Sequence, residues 1–122
     1  MKQALLVFVG GGLGSLLRFL ISKPLNSLSS SFYWGTFSAN ILGCLLLGLL
    51  TGYGLRNSNL SPEYSLLFAT GFCGGFTTFS TFVLEKNQLL RDGQWFPFFL
   101  YLISSIAVGY LFLWVGLWLA ER

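Results

Sequence analysis

Residues 71–82 read GFCGGFTTFSTF. Three glycines (Gly71, Gly74, Gly75), four hydroxyls (Thr77, Thr78, Ser80, Thr81) and four phenylalanines (Phe72, Phe76, Phe79, Phe82) share these positions. That mixture suits neither an uninterrupted helix nor a strand. The Gly74–Gly75 pair, followed by two β-branched threonines, is expected to interrupt a helix. What an interruption there accomplishes depends on the medium around it, and the rest of the chain decides the medium.

Of the 122 residues, 54% are hydrophobic and 9% charged. A soluble domain carries about 25% charged residues, so this chain lacks the charge to cover a water-facing surface. It reads as an all-α membrane protein. The net charge of +3 does not point to nucleic acid, because the basic residues are scattered singly, with no stripe to track phosphates. The absence of His removes the commonest general base and metal ligand together. Cys44 and Cys73 each sit in an apolar run without a partner at metal-ligand spacing, and are expected to be free, buried and inert.

A helix needs about 20 apolar residues to cross a bilayer core. Four segments meet that length: Ala4–Ile21, Tyr33–Leu55, Tyr64–Leu84 and Phe96–Ala120. Short polar connections separate them, at Lys23–Ser31, Arg56–Glu63 and Glu85–Gln94, rich in Asn, Ser, Pro and Gly. Residues 1–122 therefore form one four-helix transmembrane domain. The first span is a retained helix rather than a signal peptide, since no convincing cleavage site follows it and three more spans do. The run GGGLGS at residues 10–15 is not a dinucleotide fingerprint, because Ser15 stands where the last glycine belongs and no strand precedes it. Gly10/Gly14, Gly48/Gly52 and Gly71/Gly75 instead form small-residue seams that let another backbone approach, and they favour further association. The sequon Asn59-Leu60-Ser61 is too common a pattern to carry weight.

Basic residues in short loops normally fix the orientation of a membrane protein. With four spans, Lys2, Arg56 and Arg122 share one side, while Arg18, Lys23, Lys86 and Arg91 share the other. Three against four fixes almost nothing. A chain so balanced can insert both ways up, and the two forms can pair as an antiparallel dimer.

Polar residues inside spans are costly and mark pathways. Asn40 lies in the second span, with an amide that donates and accepts; it either bonds a neighbouring helix or lines a path. Tyr101 and Ser105, one turn apart in the fourth span, share a face. Glu63 and Glu85 fall at span ends, so no carboxylate is expected at a bilayer midplane. Proton-coupled export of organic cations, the job of a small four-helix dual-topology transporter, needs one. That alternative is weakened, and no acid, base, nucleophile and metal set can be assembled for an enzyme.

In this medium the opening stretch becomes legible. Broken backbone at membrane depth survives only when buried in protein or lining a cavity, and carbonyls freed by the break can hold a cation. Phe79 and Phe82, three apart, fall on one side of a helix, where they either pack or present their positive ring edges to an anion. GFCGGFTTFSTF, together with GGGLGSLLRF in the first span and GTFSANILG in the second, resembles the signature of the Fluc (CrcB) family of fluoride channels. The likeness extends over essentially the whole chain.

The resemblance implies a dual-topology homodimer in the cell membrane with two parallel fluoride pores and a Na⁺ ion on the two-fold axis. The ion would be held by the backbone carbonyls of Gly74 and Thr77 from both subunits, with no organic cofactor. Phe79 and Phe82 match the pore phenylalanines, Asn40 the pore asparagine, and Ser80 and Thr81 the hydroxyls beside the path. Tyr101 and Ser105 fit the polar track of the last helix, Arg18 the vestibule arginine, and Glu85 the acid closing the third helix. Gly109 stands where some relatives carry a further serine. The implied physiology is export of fluoride that enters as neutral HF, driven by the membrane potential.

Overall fold

The computed structural model describes residues 1–57 and 61–122; Asn59 and Leu60 of the sequon lie outside them. Among the described residues the secondary structure is helical throughout, and four helical segments are long and apolar enough to cross a membrane. In chain order these are α1 (Lys2–Asn26), α2 (Trp34–Arg56), a composite third span over Pro62–Arg91, and α6 (Trp95–Glu121). The third span comprises a single turn α3 (Pro62–Tyr64), a π-helical segment Ser65–Cys73, a turn α4 (Gly74–Phe76), and α5 (Ser80–Arg91).

The boundaries differ from the sequence reading at two connections. α1 continues through Pro24 to Asn26, where the Ser27 hydroxyl donates to the Pro24 carbonyl at 2.6 Å. The stretch Glu85–Gln94, expected as a connection, is helical as far as Arg91. Charged Glu85 and Lys86 looked like loop residues, yet both sit well inside α5. The true turn is Asp92–Gln94, closed by Gly93 at φ 68° with Gln94 N–H donating to the Leu89 carbonyl at 2.8 Å. A left-handed glycine with that bond is a standard helix stop.

Glycines set the helix packing. A β-carbon on Gly10 would strike the Leu67 carbonyl, and one on Gly14 the Phe72 carbonyl. Gly75 lies against the Gly11 backbone. α1 is thus zipped to the π-helical segment and α4. Gly48 and Gly116 approach each other in the same way across α2 and α6, with Gly52 against Leu117 and Ala120. The small-residue seams that were expected to support further association are therefore consumed within one chain.

The large apolar side chains face outward along the spans, as lipid-facing helices require. The main buried cluster sits at one end, where Phe82, Leu89 and Tyr101 meet Phe32, Tyr33, Phe37, Phe98 and Leu102. Tyr101 is fully buried, with Phe32 and Phe82 edge-on to its ring at centroid distances of 5.0 and 5.1 Å.

Candidate functional site

The helical backbone passes through Gly74 and Gly75 and leaves helical geometry three residues on, with Thr77 extended at φ −85°, ψ 158°. It resumes at Ser80. An interruption frees backbone groups that need partners in an apolar surround. The Asn40 side chain supplies two of them to a single residue: Thr78 N–H donates to Asn40 Oδ1 at 2.8 Å, and Asn40 Nδ2 donates to the Thr78 carbonyl at 3.0 Å. The Thr78 hydroxyl in turn accepts from the Thr81 N–H at 3.4 Å in the first turn of α5. On the other side of the break, Arg18 Nε and the Ser15 hydroxyl both donate to the Gly75 carbonyl, at 3.1 and 3.3 Å. Arg18 thus reaches into the protein as a cation at the C-terminal end of α4, where the helix dipole favours positive charge.

A cavity of about 600 Å³ opens beside the break. Asn40, Gly74, Thr77, Phe79, Phe82 and Ser105 all line it. Phe79 is 77% exposed and Phe82 7%, with ring centroids 6.4 Å apart and planes tilted by 44°. One ring therefore projects from the subunit while the other is built into its core. The Ser105 hydroxyl is buried without a hydrogen-bond partner among the described residues. A buried donor left in that state is paired by whatever occupies the cavity, or is costly.

Ser80, Thr81, Tyr101, Arg18 and Glu85 do not line this cavity. Ser80 is exposed on the first turn of α5, and Thr81 is half-buried beside it. Tyr101 and Glu85 belong to a neighbouring network. Glu85 is 7% exposed; its Oε1 accepts from the Thr36 hydroxyl at 2.5 Å and from Asn26 Nδ2 at 3.4 Å, and its Oε2 accepts from the Tyr101 hydroxyl at 2.8 Å. Asn26 Nδ2 also donates to the Thr36 hydroxyl at 3.1 Å, while Asn26 Oδ1 accepts the N–H groups of Gly35 and Thr36 at 2.7 and 3.1 Å. Asn26, the last residue of α1, thereby caps the first turn of α2 from another helix. Glu85, expected at the end of a span, lies inside α5 instead, its two oxygens accepting from three donors on three other helical elements.

Gly74 and Thr77 offer the chemistry a small hard cation takes, neutral carbonyl oxygens on non-helical or helix-ending backbone. A β-carbon on Gly74 would meet nothing within 4 Å, so this side of the break is open. Among the described residues no cluster of Cys, Asp or Glu could hold a metal, and Cys44 and Cys73 are both free thiols.

The family model described as "CrcB-like protein, Camphor Resistance (CrcB)" matches residues 5–117. The chain belongs to the CrcB family. Its curated relatives include proteins named fluoride-specific ion channel FluC. One from Phocaeicola vulgatus is 44% identical over 99% of this chain and 100% of its own length. One from Prosthecochloris aestuarii is 47% identical over 98% and 94%, and one from Flavobacterium psychrophilum 42% identical over 100% and 99%. This CrcB chain is a multi-pass membrane protein and not an enzyme.

Several residues around the cavity and its neighbouring network escaped the sequence reading. Asn26 was placed in a connection, and Thr36 drew no attention at the start of a span. Their roles depend on α1 ending against α2, which no local pattern announces. Thr78 was read only as a β-branched neighbour of the glycines, although its backbone is the group Asn40 holds. Lys86, read as a loop anchor, lines the cavity with Asn40 and Phe82.

Proposed function

We propose that this protein is a fluoride-selective channel that passes the ion by electrodiffusion, as an antiparallel homodimer with two pores and a central structural Na⁺. The observation that carries the proposal is the cavity beside the break, where Asn40, Phe79, Phe82 and the unpartnered Ser105 hydroxyl meet in a chain of the CrcB family. The names of its relatives point the same way.

Fluoride leaves water reluctantly, since an isolated small anion in an apolar medium costs on the order of tens of kcal/mol. The Ser105 hydroxyl offers a hydrogen-bond donor to the ion, and the positive ring edges of Phe79 and Phe82 offer weaker contacts along the path. Phe79, exposed on the chain's surface, would complete the path of a partner copy. Asn40 serves the pore by holding the Thr78 backbone in the broken conformation, so its amide acts first as a clamp. The Gly74 and Thr77 carbonyls of two copies would hold the Na⁺, whose positive charge favours an anion nearby. Export then follows the membrane potential, which drives an anion outward from a negative interior.

The test is fluoride efflux from liposomes carrying Phe79→Ile or Phe82→Ile protein. Apolar volume is roughly kept by these changes, so a packing role predicts near-parental flux. A pore role predicts that at least one variant loses most of its flux while still purifying at the parental size. Parental flux in both variants would remove the rings from the pathway.

A further inference from the structure

We propose that Lys86 is the anion-gathering residue of the cavity mouth: its ammonium raises the local fluoride concentration and, by sitting on the face of Phe82, strengthens that ring's edge as an anion contact. This rests on the fluoride-channel reading above.

The placement carries the first half. Lys86 lines the same cavity as Asn40, Phe82 and Ser105, one turn beyond Phe82 on α5. Its neighbour Glu85 points the other way, into the Thr36 and Tyr101 hydroxyls. Lys86 lies within the third membrane-capable span, where a cationic side chain is expected to face a pathway or a partner. Among the described residues no carboxylate lies within ion-pair distance of its ammonium. The chain has four acidic residues. Glu63 pairs with Lys2 at 2.6 Å, Asp92 accepts from Gln88 at 3.0 Å, and Glu85 is committed as described. Glu121 ends α6, whose residue Phe98 lies next to Lys86; the intervening helix is about 35 Å long at ~1.5 Å per residue. Among the described residues the ammonium is therefore not neutralised by any carboxylate. A cleft lined by charge of one sign with apolar walls concentrates the opposite ion.

Ring geometry carries the second half. Lys86 Nζ lies 4.6 Å from the centroid of Phe82 and 5.0 Å from that of Phe98. A cation over a ring face is held by the ring's negative quadrupole. It draws π density toward itself, which leaves the rim of Phe82 more positive. Phe82 is buried and packed against the Tyr101 ring, so the polarised ring is also a fixed one. An amphipathic lysine that merely anchors α5 at the membrane surface would do neither.

The experiment is initial fluoride efflux from liposomes of the full-length protein and of Lys86→Arg, Lys86→Gln and Lys86→Glu, at ~10 mM and at ~1 M background salt of an impermeant anion. Screening lengths at those concentrations are about 30 and 3 Å. The expected result is a graded loss at low salt, with Arg near the parent, Gln reduced about two- to tenfold and Glu reduced further. At high salt the Gln and Glu deficits should shrink, leaving a residual deficit from the lost ring polarisation. Size-exclusion profiles confirm that each variant is intact; should Lys86→Glu fail to assemble, Lys86→Gln against Lys86→Arg still decides. Parental flux in Lys86→Gln at low salt, or a deficit equal at both salt levels, overturns this inference while leaving the channel intact. Absence of fluoride flux in the parent overturns both.

Discussion

At the scale of single residues, Asn40 shows how a polar group in a span can satisfy backbone on a neighbouring element. Its amide makes two hydrogen bonds, both to the backbone of Thr78, the pattern a neighbouring β-strand would offer. Asn40→Leu keeps approximate volume but strands an N–H and a carbonyl, each unsatisfied group costing about 1–3 kcal/mol. We expect a drop of roughly 2–6 kcal/mol in unfolding free energy in detergent, with fluoride flux lost even in the fraction that remains folded. Asn40→Asp keeps the acceptor for the Thr78 N–H and loses the donor, so it should be intermediate in stability. An Asn40→Leu protein as stable as the parent would show that the clamp is not needed. The sequence singled out Asn40 as a polar residue inside a span but left its partner open. The partner is fixed by how α2 lies against the break.

At the scale of elements, the glycines divide into two classes that the sequence could not separate. Gly10, Gly14, Gly48, Gly75 and Gly116 each have backbone where a β-carbon would go, whereas Gly74 has open space. Gly75→Val should therefore fail within the subunit, giving little folded protein, because it collides with α1. Gly74→Val should leave the subunit's helices intact, as read by circular dichroism, yet lose the dimer and its bound sodium if that face meets a second copy. A Gly74→Val protein that remains a dimer with sodium would place the ion and the interface elsewhere. The four spans were legible because about 20 apolar residues per crossing is a coarse, robust signal. The end of α1 and the reach of α5 were not. Asn26 and Glu85 are polar residues that local reasoning assigns to loops; here Asn26 caps α2 and Glu85 accepts from Thr36 and Tyr101. The interruption was expected at Gly74–Gly75 and the two threonines after them; helical geometry runs through the glycines and ends at Thr77. The irregular backbone falls where Asn40 can satisfy it.

At the scale of the whole molecule, a subunit whose seams are spent internally still presents one side that looks unfinished. Phe79 projects from it, Gly74 lies open on it, and the cavity opens beside both. A second copy related by a two-fold axis in the membrane plane would cover that side, and the near-even basic count, three against four of seven, permits the two orientations such a pair needs. Cysteine labelling of a tagged terminus in intact cells should find comparable populations facing each way; a population labelled from one side alone would exclude the antiparallel pair. The proposed dimer and the proposed ion both serve a single central claim, that the protein conducts fluoride and rejects larger halides. The most direct measurement is paired efflux of fluoride and chloride from liposomes loaded with both, followed with ion-selective electrodes after the membrane potential is released. Rapid loss of fluoride with chloride retained is the predicted result. Chloride leaving alongside fluoride, or neither leaving faster than from protein-free liposomes, would contradict it.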